Sequence, residues 1–382
     1  MINRAIFVVL LCFLAGCGFK SPAVSQTHLA NQFFKTLEYP RIGLNQLSTK
    51  RIRNNPNALK DAAMLDMVII NKSEDLFVDK EASYEIARKL KALNPDIKVL
   101  QYLNISDVWF YQDTFKNFVK QHPEVLLKDR QGSYIYPYEK SYGKKRYMFD
   151  STEPVWQNYF AARMKRITDQ GMDGLFIDNI WRSNWQNLNI SEAKFKQIQR
   201  GWEVALQKGR QLIGPYKIII GNSPPSPLYQ ARDIVMLEGR LKPTKKSLDE
   251  YFDWTQRAQS NSQIIYDTVQ YDTYKGEKFH YVPEFFLPAV LLTDNIWGFS
   301  YESPKWFELV RKVGKIGYPA AVRQRMPNGV LVRDYTKGKV LLNDTNTVKT
   351  VILPQNIYMT IDNQLINQVN LQPMKGIVLK KR

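Results

Sequence analysis

The stretch that decides the fold is Gly171-Met172-Asp173-Gly174-Leu175-Phe176-Ile177-Asp178-Asn179. A short apolar run between glycine and polar residues is typical of a strand buried on both faces. Gly171 predicts the end of the preceding helix, and Asp173 predicts a cap at the turn into the strand. Asp178 follows the last apolar residue, so we expect a carboxylate at the carboxyl end of this strand. The structural alternative is that Asp178 caps the next loop.

Seven other apolar runs resemble this one. They span residues 41–44, 67–71, 99–104, 218–222, 234–238, 263–267 and 296–300. Amphipathic segments with helical spacing lie between them, at 81–93, 154–170 and 190–212. Buried strands that alternate with helices predict a parallel sheet. Eight such units predict an α/β fold, a (β/α)₈ TIM barrel, rather than an open doubly wound sheet.

Polar residues end four of these runs: Asn71, Asn104, Asp178 and Asn222. An open sheet gives no reason for so many polar residues at the carboxyl ends of its strands. In a barrel, these ends form the face that carries catalytic residues. The pattern therefore favours the barrel and places its functional face.

The chain divides into four predicted segments. Residues 1–16 are a lipoprotein signal peptide, 17–38 a lipidated tether, 39–326 the barrel and 327–382 a small antiparallel β-domain. The β-domain is predicted from short apolar strands at 330–333, 339–342, 349–353 and 376–379, separated by turn sequences such as Asn328-Gly329.

The first residues have the pattern of an export leader. Arg4 supplies a positive charge, and the apolar run 5–14 is too short to span about 30 Å of hydrocarbon. Leu14-Ala15-Gly16-Cys17 resembles the bacterial lipobox, which implies acylation of Cys17 and a membrane anchor. An ordinary secretory leader is the alternative. Gly18 follows the cysteine, and resemblance to sorted lipoproteins implies the outer rather than the inner membrane.

Composition limits the chemistry. Cys12 and Cys17 are the two cysteines, so the mature domain is predicted to have no disulfide. The three histidines, His28, His122 and His280, lack the spacing of a zinc pair. No phosphate-binding glycine loop or Gly-x-Ser-x-Gly motif is present. We therefore predict no metal and no cofactor.

The net charge of +18 suggests attraction to a polyanion. An exported protein is not expected to meet nucleic acid, so an acidic polysaccharide, cell-wall polymer or anionic lipid headgroup fits better. The alternative is a solvated lysine surface without a dedicated partner.

Glu238 is a second carboxylate at the end of an apolar run, before Gly239. Cleavage of a glycosidic bond needs one carboxylic acid to protonate the leaving oxygen and a second carboxylate as nucleophile or base. Asp178 and Glu238 are the predicted catalytic pair. A salt bridge of Glu238 to Arg240 or Arg232 is the structural alternative, and Asp267 could replace Glu238 in the pair.

Other polar and aromatic residues near the strand ends form the predicted substrate-binding set, since amides suit sugar hydroxyls and aromatic faces suit sugar rings. The set is Tyr102, Asn104, Asn179, Trp181, Asn222, Asp267 and Glu302. Each aromatic residue taken singly also fits an ordinary core.

The runs 99–104, 148–152 and 171–179 together resemble the glycosyl hydrolase-like family 15 of TIM-barrel proteins, and more loosely the endo-α-1,4-polygalactosaminidase family. The resemblance covers most of residues 38–325. Related α-galactosidase-like barrels carry acids at strands four and six, which correspond to Asp178 and Glu238. Those barrels usually have aspartate at strand six, so the glutamate here is a departure. Asp150 matches an acid that precedes a helix in these families, and its expected role is architectural.

Two hypotheses follow. The first is a monomeric, membrane-anchored glycoside hydrolase that acts on an extracellular or cell-envelope polysaccharide. The second is a non-catalytic lipoprotein that binds polysaccharide during its assembly or export. The hydrolase requires Asp178 and a second carboxylate to face each other across an open pocket.

Overall fold

The computed structural model describes residues 33–34, 36–47, 52, 56–70, 80–109, 113–137, 146–180, 188–226, 228–269, 273–274, 277–278, 283–300 and 304–382. No helix in this part of the chain is long and apolar enough to cross a membrane. The leader, with Cys17, lies outside these residues.

Eight parallel strands close into a barrel, which confirms the predicted fold. They are β1 Ile42–Leu47, β2 Met67–Ile70, β3 Lys98–Asn104, β4 Gly174–Asp178, β5 Ile218–Asn222, β6 Ile234–Glu238, β7 Ile264–Val269 and β8 Ile296–Ser300. Each strand pairs with its neighbours in chain order, and β8 pairs with β1 to complete the ring.

Helices surround the barrel. They are α1 Pro56–Ala63, α2 Lys80–Leu93, α3 Asp113–Gln121, α4 Pro154–Asp169, α5 Glu192–Ile213, α6 Lys245–Ser260, α7 Pro283–Leu291 and α8 Pro304–Val313. The three helices predicted from the sequence correspond to α2, α4 and α5. Between β5 and β6 the described residues form no helix.

Side chains alternate strictly between two apolar layers. Phe176, Ile220 and Met236 pack with the other inward residues inside the barrel. Their strand neighbours, such as Leu175 and Ile219, pack against the helices. Because strand side chains repeat with a period of two, the residues two positions beyond the inward ones also face the barrel axis. Asp178, Asn222 and Glu238 are those residues.

A C-terminal β-domain follows α8, as predicted. Its strands are β9 Gln324–Arg325, β10 Leu331–Tyr335, β11 Gly338–Asn343, β12 Lys349–Ile352, β13 Tyr358–Met359, β14 Leu365–Ile366, β15 Gln368–Leu371 and β16 Lys375–Lys381. Six form an antiparallel sheet in the order β9-β10-β11-β16-β13-β14, and β12 pairs with β15. Strand β9 joins this sheet although it precedes residue 327, and the residue at which the domains divide stays a prediction.

The β-domain contacts the barrel where β1 and β8 meet. Arg333 of β10 donates to the Thr293 carbonyl and pairs with Asp294 at 2.5 Å. Asp294 also accepts from the Tyr39 hydroxyl at 3.2 Å, and its carbonyl accepts from Arg41 at 3.0 Å. Tyr39 and Arg41 lie just before β1, and Asp294 lies just before β8. The β-domain therefore covers the closure seam of the barrel.

Helices α4 and α5 approach each other closely at Gly201. A Cβ atom at this position would overlap the carbonyl oxygen of Ser151, which lies just before α4. Gly201 is buried within α5, a helix that begins at the cap Ser191, whose hydroxyl accepts from the Lys194 amide. The close approach explains why a poor helix former occupies the interior of this helix.

We predict that Gly201→Ala destabilises the protein. Helix propensity alone would stabilise the variant by about 0.5–1 kcal/mol. Overlap of the new Cβ atom with the Ser151 carbonyl oxygen outweighs this gain. We therefore expect the free energy of unfolding to fall by about 1–3 kcal/mol. Urea denaturation measures the difference. Val204→Ala on the exposed side of α5 is the control and should change stability by less than about 0.5 kcal/mol. Stabilisation of Gly201→Ala would contradict the close approach.

Candidate active site

Three neighbouring strands bring two carboxylates and an amide together. Asp178 ends β4, Asn222 ends β5 and Glu238 ends β6. The Asn222 side-chain amide donates to Asp178 Oδ1 at 2.9 Å and to Glu238 Oε2 at 3.0 Å. These two carboxylate oxygens therefore lie within about 6 Å of each other, the sum of the two hydrogen-bond lengths. The sequence predicted all three residues for this face.

Asp178 accepts two further hydrogen bonds. The Tyr102 hydroxyl donates to Oδ2 at 2.5 Å, and the Asn179 backbone amide donates to Oδ1 at 2.8 Å. Burial, followed by the charge of Asp178, raises the pKa of Tyr102 well above its usual value, so Tyr102 keeps its proton and donates it. Together with the Asn222 amide, these donors fix the orientation of the Asp178 carboxyl group.

An open cavity of about 170 Å³ lies over this group. Its walls come from the ends of β4, β5 and β6 and the residues that follow them. The lining residues are Asp178, Asn179, Asn222, Ser223, Pro224, Met236, Leu237, Glu238 and Arg240. The cavity exposes both carboxylates to a ligand, which is the geometry that the hydrolase hypothesis requires.

Two predicted substrate-binding residues, Tyr102 and Asn104, are buried beneath the site. Tyr102 is only 2% exposed and packs on Phe176 inside the barrel, so its ring offers no stacking face. Asn104 is 5% exposed, and its side-chain oxygen accepts from the backbone amides of Ser106 and Asp107. The prediction that these residues bind substrate needs correction, because Tyr102 holds Asp178 and Asn104 closes a turn.

Asn179 lines the cavity in a left-handed backbone conformation, with φ of 60°. Asparagine tolerates this conformation better than most residues. Its side-chain amide donates to Asp107 Oδ2 at 3.4 Å, and Asp107 forms a buried ion pair with Arg146. These contacts fix the turn after β4 and hold the Asn179 backbone amide in position to donate to Asp178.

Asp267 does not belong to the site. Tyr266 faces the barrel interior, so Asp267 faces the helices and is only 2% exposed. Burial raises the pKa of Asp267 to about 8, and its charge helps to raise the pKa of Tyr251 on α6. The predicted substrate or catalytic role for Asp267 is therefore wrong: the residue lies within β7, which continues to Val269, and its side chain is on the outer face of the barrel.

Other predicted residues have clear positions. Asp173 accepts from the Val99 amide at 2.8 Å at the opposite end of β4, as expected for a turn cap. Asp150 accepts from the Thr152 amide at 3.1 Å and pairs with Lys194, which is an architectural role. Trp181 and Glu302 lie outside the described residues. Among those described, no three His, Cys, Asp or Glu side chains are grouped as ligands of one metal ion.

Part of the cavity wall is formed by residues outside the predicted site. These include Ser223, Pro224 and Arg240, and the sequence suggests Arg240 only as a salt-bridge partner of Glu238. Ser223 follows Asn222 directly and accepts a hydrogen bond from the buried Arg232. Proximity in sequence to Asn222 and Glu238 was the available signal, because loops at the carboxyl ends of barrel strands build the site.

We predict that Asp267→Asn removes a pH-dependent loss of stability. A buried carboxyl with a raised pKa stabilises the fold while it is protonated, and this stabilisation is lost as pH rises from about 4 toward and through 8. The melting temperature of the variant should match that of the wild type below about pH 4, exceed it increasingly up to about pH 8, and keep a constant excess above that pH. Thermal unfolding over this range tests the prediction. A difference between the two proteins that is the same at every pH would contradict it.

Solved structures share this fold with the chain at low sequence identity, and no curated protein matches it. The Anoxybacillus α-amylase has a TM-score of 0.55 at 10% identity and covers 92% of this chain and 99% of its own. The Bacillus licheniformis trehalose-6-phosphate hydrolase has 0.56 at 10%, covering 91% and 99%. Amy13B of Eubacterium rectale has 0.57 at 9%, covering 90% and 95%.

These three likenesses show the fold alone. The family is shown by the sequence, because residues 91–339 match hypothetical glycosyl hydrolase family 15. This match spans more than half of the chain and includes Asp178, Asn222 and Glu238. It agrees with the resemblance found from the strand-end motifs. The chain belongs to hypothetical glycosyl hydrolase family 15.

Proposed function

We propose that this protein cleaves glycosidic bonds of an extracellular or cell-envelope polysaccharide, with Asp178 and Glu238 as its paired carboxylates. The observation that carries the proposal is the Asn222 amide, which binds one oxygen of each carboxylate at the floor of an open cavity. Two carboxylates that flank the bond to be cleaved within one cavity are what glycoside hydrolysis requires.

Different roles are favoured for the two acids. The Tyr102 hydroxyl, the Asn179 backbone amide and the Asn222 side chain hold the Asp178 carboxyl group in a fixed orientation at the cavity. This suits the nucleophile. Glu238 lines the same cavity and is held by Asn222 at Oε2, within reach of a bond that Asp178 attacks. This suits the general acid and base.

The spacing favours retention of configuration. Carboxyl groups of retaining enzymes lie about 5–5.5 Å apart, and those of inverting enzymes about 6.5–9.5 Å apart to admit a water molecule. The limit of about 6 Å between the bridged oxygens falls below the inverting range.

The reaction then proceeds in two balanced steps. Glu238 gives its proton to the glycosidic oxygen while Asp178 attacks the anomeric carbon, so that the leaving sugar departs and a glycosyl-enzyme ester forms. A water molecule next gives a proton to the Glu238 carboxylate and attacks the same carbon. The ester bond to Asp178 breaks, and both acids return to their first state. The Asn222 amide holds the two carboxylates at a fixed separation during both steps.

The proposed location rests on the sequence. Acylation of Cys17 would anchor the chain at the outer membrane, with residues 17–38 as a tether. An anchored enzyme would act on polymers at the cell surface or within the envelope.

Substitution of the two acids tests the function. Asp178→Asn and Glu238→Gln should each lower kcat by about 10³-fold or more on the polysaccharide that the wild type cleaves, because each removes a reacting group. Release of reducing ends from a panel of polysaccharides is the measurement. Asp267→Asn is the matched control and should retain activity, since Asp267 lies on the outer face. Activity that survives Asp178→Asn would refute the assignment, and polymer binding without hydrolysis would favour the non-catalytic hypothesis.

The stereochemistry gives a separate test. The anomer released first should have the configuration of the bond that was cleaved, because two displacements at one carbon restore it. Proton NMR during the first minutes of hydrolysis, before mutarotation, distinguishes the anomers. First release of the inverted anomer would show that Asp178 activates water instead of forming a covalent ester.

A further inference from the structure

Arg240 is a cation fixed beside the two carboxylates. It follows Glu238 by two residues, and Gly239 between them turns the chain with φ of 62°. The Gly239 amide donates to the Thr268 carbonyl at 2.9 Å, and the Ser247 hydroxyl of α6 donates to the Arg240 carbonyl at 3.2 Å. The backbone of Arg240 is therefore held on both sides while its side chain lines the cavity.

The guanidinium is available to a ligand. Arg240 is exposed, and no described residue forms an ion pair with it. Other arginines on the barrel and the β-domain do have carboxylate partners, as in Arg210 with Asp233, Arg311 with Asp61 and Arg325 with Asp344. Asp178 and Glu238 instead accept from Asn222. An arginine without a carboxylate partner at the mouth of a cavity has five donors to offer an anion.

The surroundings of Arg240 are basic. Lys242, Lys245 and Lys246 follow within six residues, all are exposed, and no acid separates them. The first turn of α6 also contains no acid, although the amino end of a helix favours acidic side chains. Lys245 pairs with Asp249 one turn along α6, at 2.5 Å, so its charge is largely balanced within the helix. Lys242 and Lys246 add positive charge to the same surface as Arg240.

We propose that Arg240 binds a carboxylate carried by a sugar ring next to the cleaved bond, so that the substrate is an acidic polysaccharide built with uronic acid units. The planar guanidinium can form two parallel hydrogen bonds to a carboxylate, which a neutral sugar cannot offer. The charges of Lys242 and Lys246 add a weaker, screened attraction for the same polymer. A cationic amino-sugar polymer is disfavoured by the same charges. This inference rests on the proposed function and adds its substrate class.

A matched pair of polymers tests the proposal. Each acidic polysaccharide of a panel is compared with its carboxyl-reduced form, which has the same backbone and linkages without the charge. The wild-type full chain should hydrolyse and bind the acidic form better by about tenfold or more, the scale of a charged hydrogen-bonded pair. Arg240→Gln should lose this factor on the acidic form and change little on the reduced form.

Lys246→Gln is the control, since it removes the same charge from an exposed position outside the cavity lining. Its effect should stay below about twofold at physiological salt, because exposed charges are screened. Equal losses in Lys246→Gln and Arg240→Gln would overturn a specific contact at Arg240.

The outcomes separate the two proposals. If the neutral and acidic forms are hydrolysed equally, or an amino-sugar polymer is preferred, the substrate inference fails while hydrolysis that depends on Asp178 still supports the function. If no polymer is hydrolysed, the proposed function fails. Affinity electrophoresis with the same polymer pairs then decides the Arg240 contact, and equal retardation by the acidic and reduced forms would overturn it.

Discussion

The period-two alternation of side chains along eight closed parallel strands is the constraint on which the rest of this structure depends. It divides the apolar residues of the strands between an inner core with Phe176 and an outer core with Leu175. The same alternation decides what happens where each strand ends, because the next inward position faces open space and can carry a polar group. Asp178, Asn222 and Glu238 occupy such positions on three adjacent strands. The site is thus a direct continuation of the packing pattern of the barrel.

The polar groups at this face form one hydrogen-bond network centred on Asn222 and Asp178. Asn222 donates to two carboxylates that would otherwise repel each other, and the Tyr102 hydroxyl and the Asn179 backbone amide add two donors to Asp178. These hydrogen bonds fix the position of Asp178 relative to Glu238 and leave both side chains at the cavity.

The sequence predicted the barrel and the carboxylate pair because these depend on local pattern. Apolar runs that end in Asp, Asn or Glu report both the strand and its functional end. Asp267 shows the limit of this reasoning, since it ends an apolar run of the sequence but lies within its strand, at a position that faces the helices. Tyr102 and Asn104 show another limit, because residue type does not reveal burial. Arg240 lies in a loop, where no periodic pattern indicates which side chains enter a cavity.

The contacts of Arg333 have a consequence for the order in which the chain can mature. Asp294 receives hydrogen bonds from Tyr39, which precedes the first barrel strand, and from Arg333, which is made only after the last one. The first and last strands therefore meet under a cover that emerges late in synthesis. A nascent chain would hold its barrel seam uncovered until the final domain had left the ribosome and, in an exported protein, crossed the membrane. The C-terminal domain thus joins the first and last strands of the barrel through Asp294, and we expect the barrel and this domain to complete folding together.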